Sequence, residues 1–276
     1  MDFGLFCHPH IILKKILGLR RRFVCLPDRP IIKRINNTVA FEHKFEPFLN
    51  DDDFRAMITN SYDIILCDFL KKHLSPGDVF IDVGSNVGYI SAIGASYVGS
   101  SGEVHGFEPL PECYARLSVL RELNPEHQFN FNNFALGEEE SLISISYNPQ
   151  SDSRNATLVP GKNCTKNFEV TVKRLDEYIV SHVQKPERIK VIKIDVEGFE
   201  FPVLKGLERF FSESTFRPLI VCEIKPWEIH KMGYSLEDFT RYMGNYSYHA
   251  YDMLRPTKQV DLTKLKDLEV LLFRAF

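Results

Sequence analysis

Two short stretches hold residues that could do chemistry together: Asp82-Val-Gly84-Ser85-Asn86-Val-Gly88, and Glu108, twenty positions beyond Gly88. The first closes an apolar run, Val79 to Val83, of the length of one buried strand, and opens onto a helical stretch from Tyr89. Glycines at such a turn let a ligand approach the backbone, and an acidic residue ending the next strand can accept from both hydroxyls of a ribose. The spacing is G-x-x-x-G, not the G-x-G-x-x-G that seats a pyrophosphate on a helix N-terminus, and the sequence contains no G-x-x-x-x-G-K-[ST] phosphate loop. Asp82 would repel a pyrophosphate but suits a cation. The pattern predicts a site for an adenosine-containing cofactor with a positively charged end, such as S-adenosylmethionine with its sulfonium and ammonium groups.

On this reading Gly84, Ser85, Asn86 and Gly88 run beside the methionine part of the cofactor. Asp82 accepts from its ammonium group, directly or through water, and Glu108 holds the ribose. Asn133 either reaches the adenine edge or satisfies its own turn backbone, with Ala135 as an apolar contact. Tyr62 and Asp63 help to close the site from a preceding helix.

Further along, Asn133-Phe-Ala135-Leu-Gly137 and Lys193-Ile-Asp195-Val-Glu197-Gly198-Phe-Glu200 each follow a strand-like run. Together with Asp82–Gly88 and Phe107-Glu108-Pro109, these segments resemble the FkbM family of S-adenosylmethionine-dependent methyltransferases. The likeness runs from about Tyr62 to about Pro226 and is most specific at Lys193–Glu200. It implies O-methylation of hydroxyls on sugars, glycans, polyketides or other secondary metabolites, on the class I fold with its last strand inserted antiparallel. An alcohol is a poor nucleophile, so methyl transfer to one calls for proximity, alignment and a base. The candidates are Asp195, Glu197, Glu200 and Glu223, with Glu197 and Glu223 ranked first because Asp195 lies where it can also touch the cofactor. Strand alternation would put Lys193, Asp195 and Glu197 on one side of the sheet, with Lys193 holding the carboxylates ionised or orienting substrate.

The elements that must position these residues alternate: strands at 78–83, 103–107, 128–133, 189–195 and 217–223, and helices at 62–73, 88–98, 111–123, 175–183, 200–210 and 235–243, with last strands at 246–252 and 268–275. Such alternation predicts a doubly wound, seven-stranded, mostly parallel Rossmann-like sheet, with ligands outside the carboxyl ends of the strands. Asp82–Gly88, Glu108, Asn133, Asp195 and Glu223 all fall at such ends. Strand-like runs at 141–147 and 168–172 flank a polar excursion over 148–167, which suits a lid for a hydroxyl-rich acceptor.

The 276 residues suit one α/β domain over 61–276 with an N-terminal extension over 1–60, basic and then mixed polar. A net charge of −3 gives no reason to expect a nucleic-acid partner. Residues 1–34 are nevertheless basic, and the stretch 11–22 mixes aliphatic residues with Lys and Arg. It reads either as a helix packed on the domain or as a weak contact with an anionic membrane surface, and it makes a poor signal peptide or transmembrane span. A cytoplasmic location follows as the expectation. Six scattered cysteines without a C-x-x-C argue against a zinc site, and no metal site is expected. Catechol-type metal-dependent transfer stays open through Asp195 and Asn133, although a full acidic ligand set is not legible from spacing. Two other readings compete: a non-catalytic methyltransferase-like scaffold, and an NAD-dependent oxidoreductase, against which the glycine spacing and Asp82 both argue. Oligomeric state leaves no signature.

Overall fold

A computed structural model describes residues 27, 29–46, 48–147 and 166–275. At its centre is a seven-stranded sheet. We name its strands in chain order, after an N-terminal hairpin formed by β1 (Ile31–Ile35) and β2 (Val39–His43). The sheet holds β3 (Val79–Val83), β4 (Glu103–Phe107), β5 (Gln128–Asn132), β9 (Ile189–Ile194), β10 (Leu219–Ile224), β11 (Tyr248–Asp252) and β12 (Glu269–Ala275). Their spatial order is β11-β12-β10-β9-β3-β4-β5, and β12 runs antiparallel to both of its neighbours. This is the doubly wound sheet the alternation predicts, including the antiparallel last strand that the family resemblance implies.

Strand alternation divides the core into two layers. Phe80, Val104, Phe129, Phe131, Val191, Val221 and Leu272 face one side, beneath α1 (Asp51–Ile58), α2 (Ile64–His73), α3 (Tyr89–Val98) and α4 (Pro111–Glu122). Ile81, Val83, Phe107, Ile192, Ile194, Ile220, Cys222 and Phe273 face the other. That side packs on α5 (Leu175–His182), α6 (Glu200–Lys205), α7 (Glu208–Glu213) and α9 (Leu236–Asn245). Short α8 (Pro226–Lys231) follows β10. The expected helix over 200–210 is two helices. The chain turns at Gly206, where an added Cβ would lie 2.1 Å from the Gly137 carbonyl, so the close approach of two loops outweighs helix continuity.

The N-terminal hairpin was not foreseen. Asn36 and Asn37 both take positive φ, which a tight hairpin turn demands, and asparagine tolerates that region better than most residues. The Asn124 side chain pins β2 to the domain: it accepts from the Ala40 amide at 2.6 Å and donates to the Ala40 carbonyl at 2.7 Å. Arg116 on α4 pairs with Glu42 and donates to its carbonyl at 2.8 Å. Ile35, Val39, Phe41, Phe48 and Phe54 are buried in the same layer as Phe80, so these residues share the core of the sheet. Asn50 caps α1 by accepting from the Asp52 and Asp53 amides.

A smaller sheet, β6-β8-β7, stands beside β5 in sequence and is built from β6 (Ala135–Leu136), β7 (Ser141–Tyr147) and β8 (Lys166–Lys173). It carries the strands expected on either side of the polar excursion. Residues 148–165 of that excursion, and the basic stretch 11–22, lie outside the described residues. Among the described residues no helix is long and apolar enough to cross a membrane.

Candidate active site

A cavity of about 440 Å³ opens at the carboxyl ends of β3, β4 and β9. That volume is in the range of pockets that bury a cofactor-sized ligand. Its floor is the β3–α3 turn. Gly84 has φ +78, and a Cβ there would lie 1.9 Å from the Asp195 carbonyl, so only glycine lets the β3 and β9 loops meet. At Gly88, φ +84, a Cβ would strike Leu117 and Leu120, so this glycine serves packing against α4 and its missing side chain faces away from the cavity. Ser85 ties the turn together: its hydroxyl donates to the Asp82 carbonyl at 2.8 Å and accepts from the Phe107 amide at 3.1 Å.

Glu108 is 5 % exposed and lines the cavity. One carboxylate oxygen accepts from the Asn86 amide at 2.8 Å and the other from the Leu110 amide at 2.9 Å. Each oxygen keeps a second lone pair for a ligand donor. Burial pushes this carboxyl up to about 7, against the two amides and Lys193, which favour its ionised form.

Asp82 is fully buried beneath the floor. It accepts from the Ser91 hydroxyl at 2.6 Å and lies 3.4 Å from the Lys193 ammonium, and its second oxygen makes no hydrogen bond of good geometry. Burial raises its pKa, although Lys193 and Ser91 oppose this. Lys193 also reaches Asp195 at 3.5 Å and donates to the Gly84 carbonyl at 2.7 Å. Burial disfavours its charge, but the carboxylates of Asp195 and Asp82 prevail and hold its pKa above the ordinary lysine value. Asp82 therefore faces the cavity through Lys193 rather than directly.

Beyond β9 the chain leaves strand geometry at Ile194, so alternation does not place Glu197. A left-handed turn does: Glu197 has φ +55 and Gly198 φ +109. Glu200 anchors this turn from below, accepting from the Gly198 amide at 2.9 Å and the Val196 amide at 3.2 Å. It is wholly buried, its other oxygen has no hydrogen-bond partner, and burial raises its pKa to about 7. Glu197 lines the cavity and pairs with Lys225, which also meets Glu223 at 2.9 Å. Asp195 lies beside Glu223, with one oxygen of each within 4.8 Å of the other. Burial opposes ionisation of Asp195, yet Lys193 and Lys225 bring its pKa below the ordinary value. Burial and the neighbouring Asp195 push Glu223 up to about 7.

Gly84, Ser85, Asn86, Glu108, Ala135, Lys193, Asp195 and Glu197 thus converge on one cavity, whereas Asp82, Gly88, Asn133 and Glu223 do not line it. Asn133 is exposed, and its amide donates to the carbonyls of Glu108 at 2.8 Å and Pro109 at 3.1 Å, which belong to the β4–α4 loop and not to its own turn. Phe134 forms the wall in its place. Tyr62 and Asp63 line the mouth, joined by Leu49, Asp53 and Met57 from the N-terminal segment and by Ile143 and Ile145 of β7. Lys225 escaped the sequence reading, though Glu223-Ile-Lys225 has the same two-residue spacing that drew attention to Lys193 and Asp195.

Residues 82–251 match the methyltransferase FkbM domain, well over half of the sequence. The chain belongs to the FkbM methyltransferase family. Hexuronic acid methyltransferase AglP of Haloferax volcanii is 31% identical over 158 residues, covering 56% of this chain and 59% of that protein. Methyltransferase 1 of Beauveria bassiana is 26% identical over 152 residues, covering 48% of this chain and 60% of that protein. The chain thus spans about three fifths of the length of these relatives. Among solved structures, the FkbM methyltransferase of Methylobacillus flagellatus KT superposes with a TM-score of 0.44 at 14% identity, covering 96% of this chain and 60% of that one.

Proposed function

We propose that this protein is an S-adenosylmethionine-dependent methyltransferase acting on a hydroxyl of a sugar, glycan or secondary metabolite. The observation that carries the proposal is Glu108. Two backbone amides clamp its carboxylate at the cavity wall with one lone pair free on each oxygen, the acceptor pattern that the paired hydroxyls of a ribose require. Family membership and the hexuronic acid methyltransferase among the relatives support the sugar-like acceptor.

When bound, the cofactor supplies a methyl group already activated on a sulfonium. The Gly84–Asn86 turn and Phe134 would hold it, and Glu108 would accept from the ribose hydroxyls. Lys193 and Asp195 offer a donor and an acceptor on the floor for the amino-acid end. At the mouth, Tyr62, Met57, Leu49 and Met232 give the acceptor apolar contact and exclude water. Glu197, paired with Lys225, would take the proton of the acceptor hydroxyl. Glu223, whose carboxyl burial and Asp195 push up to about 7, does not line the cavity and is the second candidate base. The apolar walls raise the value of each polar contact by keeping water out.

Calorimetric titration of the purified protein with S-adenosylmethionine, followed by transfer of a labelled methyl group to a panel of hydroxyl compounds, tests the proposal. Heat of binding and label on a hydroxyl oxygen are expected. No heat at millimolar cofactor would end the methyl-donor reading, and binding without transfer to any acceptor would favour a scaffold.

A further inference from the structure

The carboxylates of Asp195, Glu197 and Glu223 bring one oxygen each within 4.8 Å of one another, a set that elsewhere would suit a divalent cation. The Lys225 ammonium already occupies this cluster. It pairs with Glu197, lies 2.9 Å from Glu223 and acts on the charge of Asp195, and the residue is only 9 % exposed. We infer that Lys225 is a built-in counter-cation that takes the place of a metal ion and holds Glu197 ionised and aimed into the cavity for proton abstraction. The inference rests on the proposed transfer to a hydroxyl and adds a positioning residue and a metal-independent route to it.

The geometry supports this in three ways. Lys225 lies between the end of β10 and the first residue of α8, as that helix's N-cap, so its backbone is fixed by the sheet on one side and a helix on the other. Glu197 sits in a left-handed turn braced from below by Glu200, which leaves its side chain aimed at the lysine. Among the described residues, the other charged groups near Glu197 include Asp195 and Lys193 from β9 and its end, Glu223 from β10, and Glu228 from α8 beside Gly198. Lys193 is engaged by Asp82 and Asp195 and Glu228 by Lys231, while the Lys225 ammonium pairs directly with Glu197.

The decisive variant is Lys225→Met, which keeps the length of the stem and removes the charge. Binding of S-adenosylmethionine, measured by calorimetry, should change less than threefold, while kcat falls at least tenfold. The acid limb of the pH–rate profile should move up by about one to three units, the usual effect of a close opposite charge on a carboxylate. Lys225→Arg should restore the position of the limb. Wild-type protein should keep full activity in EDTA and show no bound Mn²⁺ by paramagnetic resonance, whereas Lys225→Ala should gain a Mn²⁺ signal that Glu197→Gln removes. Loss of wild-type activity on chelation, Mn²⁺ bound to the wild-type cluster, or an unmoved pH limb in Lys225→Met would overturn the inference. The Mn²⁺ readout needs no turnover, so it holds even if Lys225→Met does not fold. It also separates this inference from the proposed activity, whose failure would show as absent cofactor binding.

Discussion

Replacing Glu108 with glutamine keeps the shape of the side chain and removes two things at once. The carboxylate accepts from the Asn86 and Leu110 amides, one on each oxygen. Glutamine has a single oxygen, so one backbone N–H must face an NH₂ group, and the same NH₂ cannot accept from a ribose hydroxyl. A hydrogen bond to a charged acceptor contributes about 1.5–3 kcal/mol, so the cofactor Kd should rise roughly tenfold to a hundredfold. The unpaired buried N–H should also cost about 1–3 kcal/mol of folding stability, read as a lower Tm at about pH 5, where the wild-type carboxyl is also neutral. Ionisation adds a pH signature. Burial lifts this carboxyl from 4.5 to about 7, so across that window the folded protein keeps a proton the unfolded chain has lost. Its contribution to stability therefore declines as pH rises through the window and is level above it, by about 3 kcal/mol in all. A diol favours the ionised form, so wild-type affinity should climb by up to about tenfold per pH unit below about pH 7 and then level off. Calorimetry from about pH 5.5 to about pH 8 on both proteins gives both quantities, with the variant flat across this range. Equal affinities of wild type and variant at the alkaline end would refute the assignment of the ribose to Glu108.

Three further outcomes are expected. Gly84→Ala places a methyl group 1.9 Å from the Asp195 carbonyl at a positive φ, so the loops must part; a loss of stability of about 1–3 kcal/mol or more and weakened cofactor binding should appear together in thermal melts with and without ligand. Glu197→Gln should leave cofactor Kd within about threefold and lower kcat by roughly 10² to 10⁴, the usual contribution of a positioned base, in a single-turnover assay. Glu200 is buried with a pKa near 7 against an ordinary 4.5, so the folded state holds its proton more tightly and its contribution to stability falls as pH rises between those values. Denaturant titrations of Glu200→Gln should show that slope removed, the variant gaining on wild type as pH increases; parallel curves would mean the carboxyl titrates normally.

Much of this was legible in the residues because a parallel sheet covered on both faces writes itself as short apolar runs. Val79–Val83, Glu103–Phe107 and Ile189–Ile194 all appear where the runs lie, and the polar residues that follow them meet at one rim. Spacing failed where long-range contacts decide. The strand pair Ile31–His43 is held by Asn124 and Arg116, more than seventy residues away, and β1 shows four exposed positions in five, so it offers no buried face to read. The break at Gly206 comes from the approach of the Gly137 loop, which no helix pattern records. Asn133 was open between two uses, and two backbone carbonyls only 2.8 and 3.1 Å away engage its amide.

The linear order of residues was enough to determine the doubly wound sheet, the glycine turn after the first of its parallel strands and the acid after the second, because strand ends and tight turns are local facts of period and backbone freedom. It could not say which charges share a partner. Asp82 under the floor, Glu197 swung back by a left-handed turn and Lys225 between two glutamates are products of burial and distance, and both are set by how the layers pack. Electrostatic energy depends on separation in space and on the water excluded around it, and neither quantity is written in the spacing of letters along a chain.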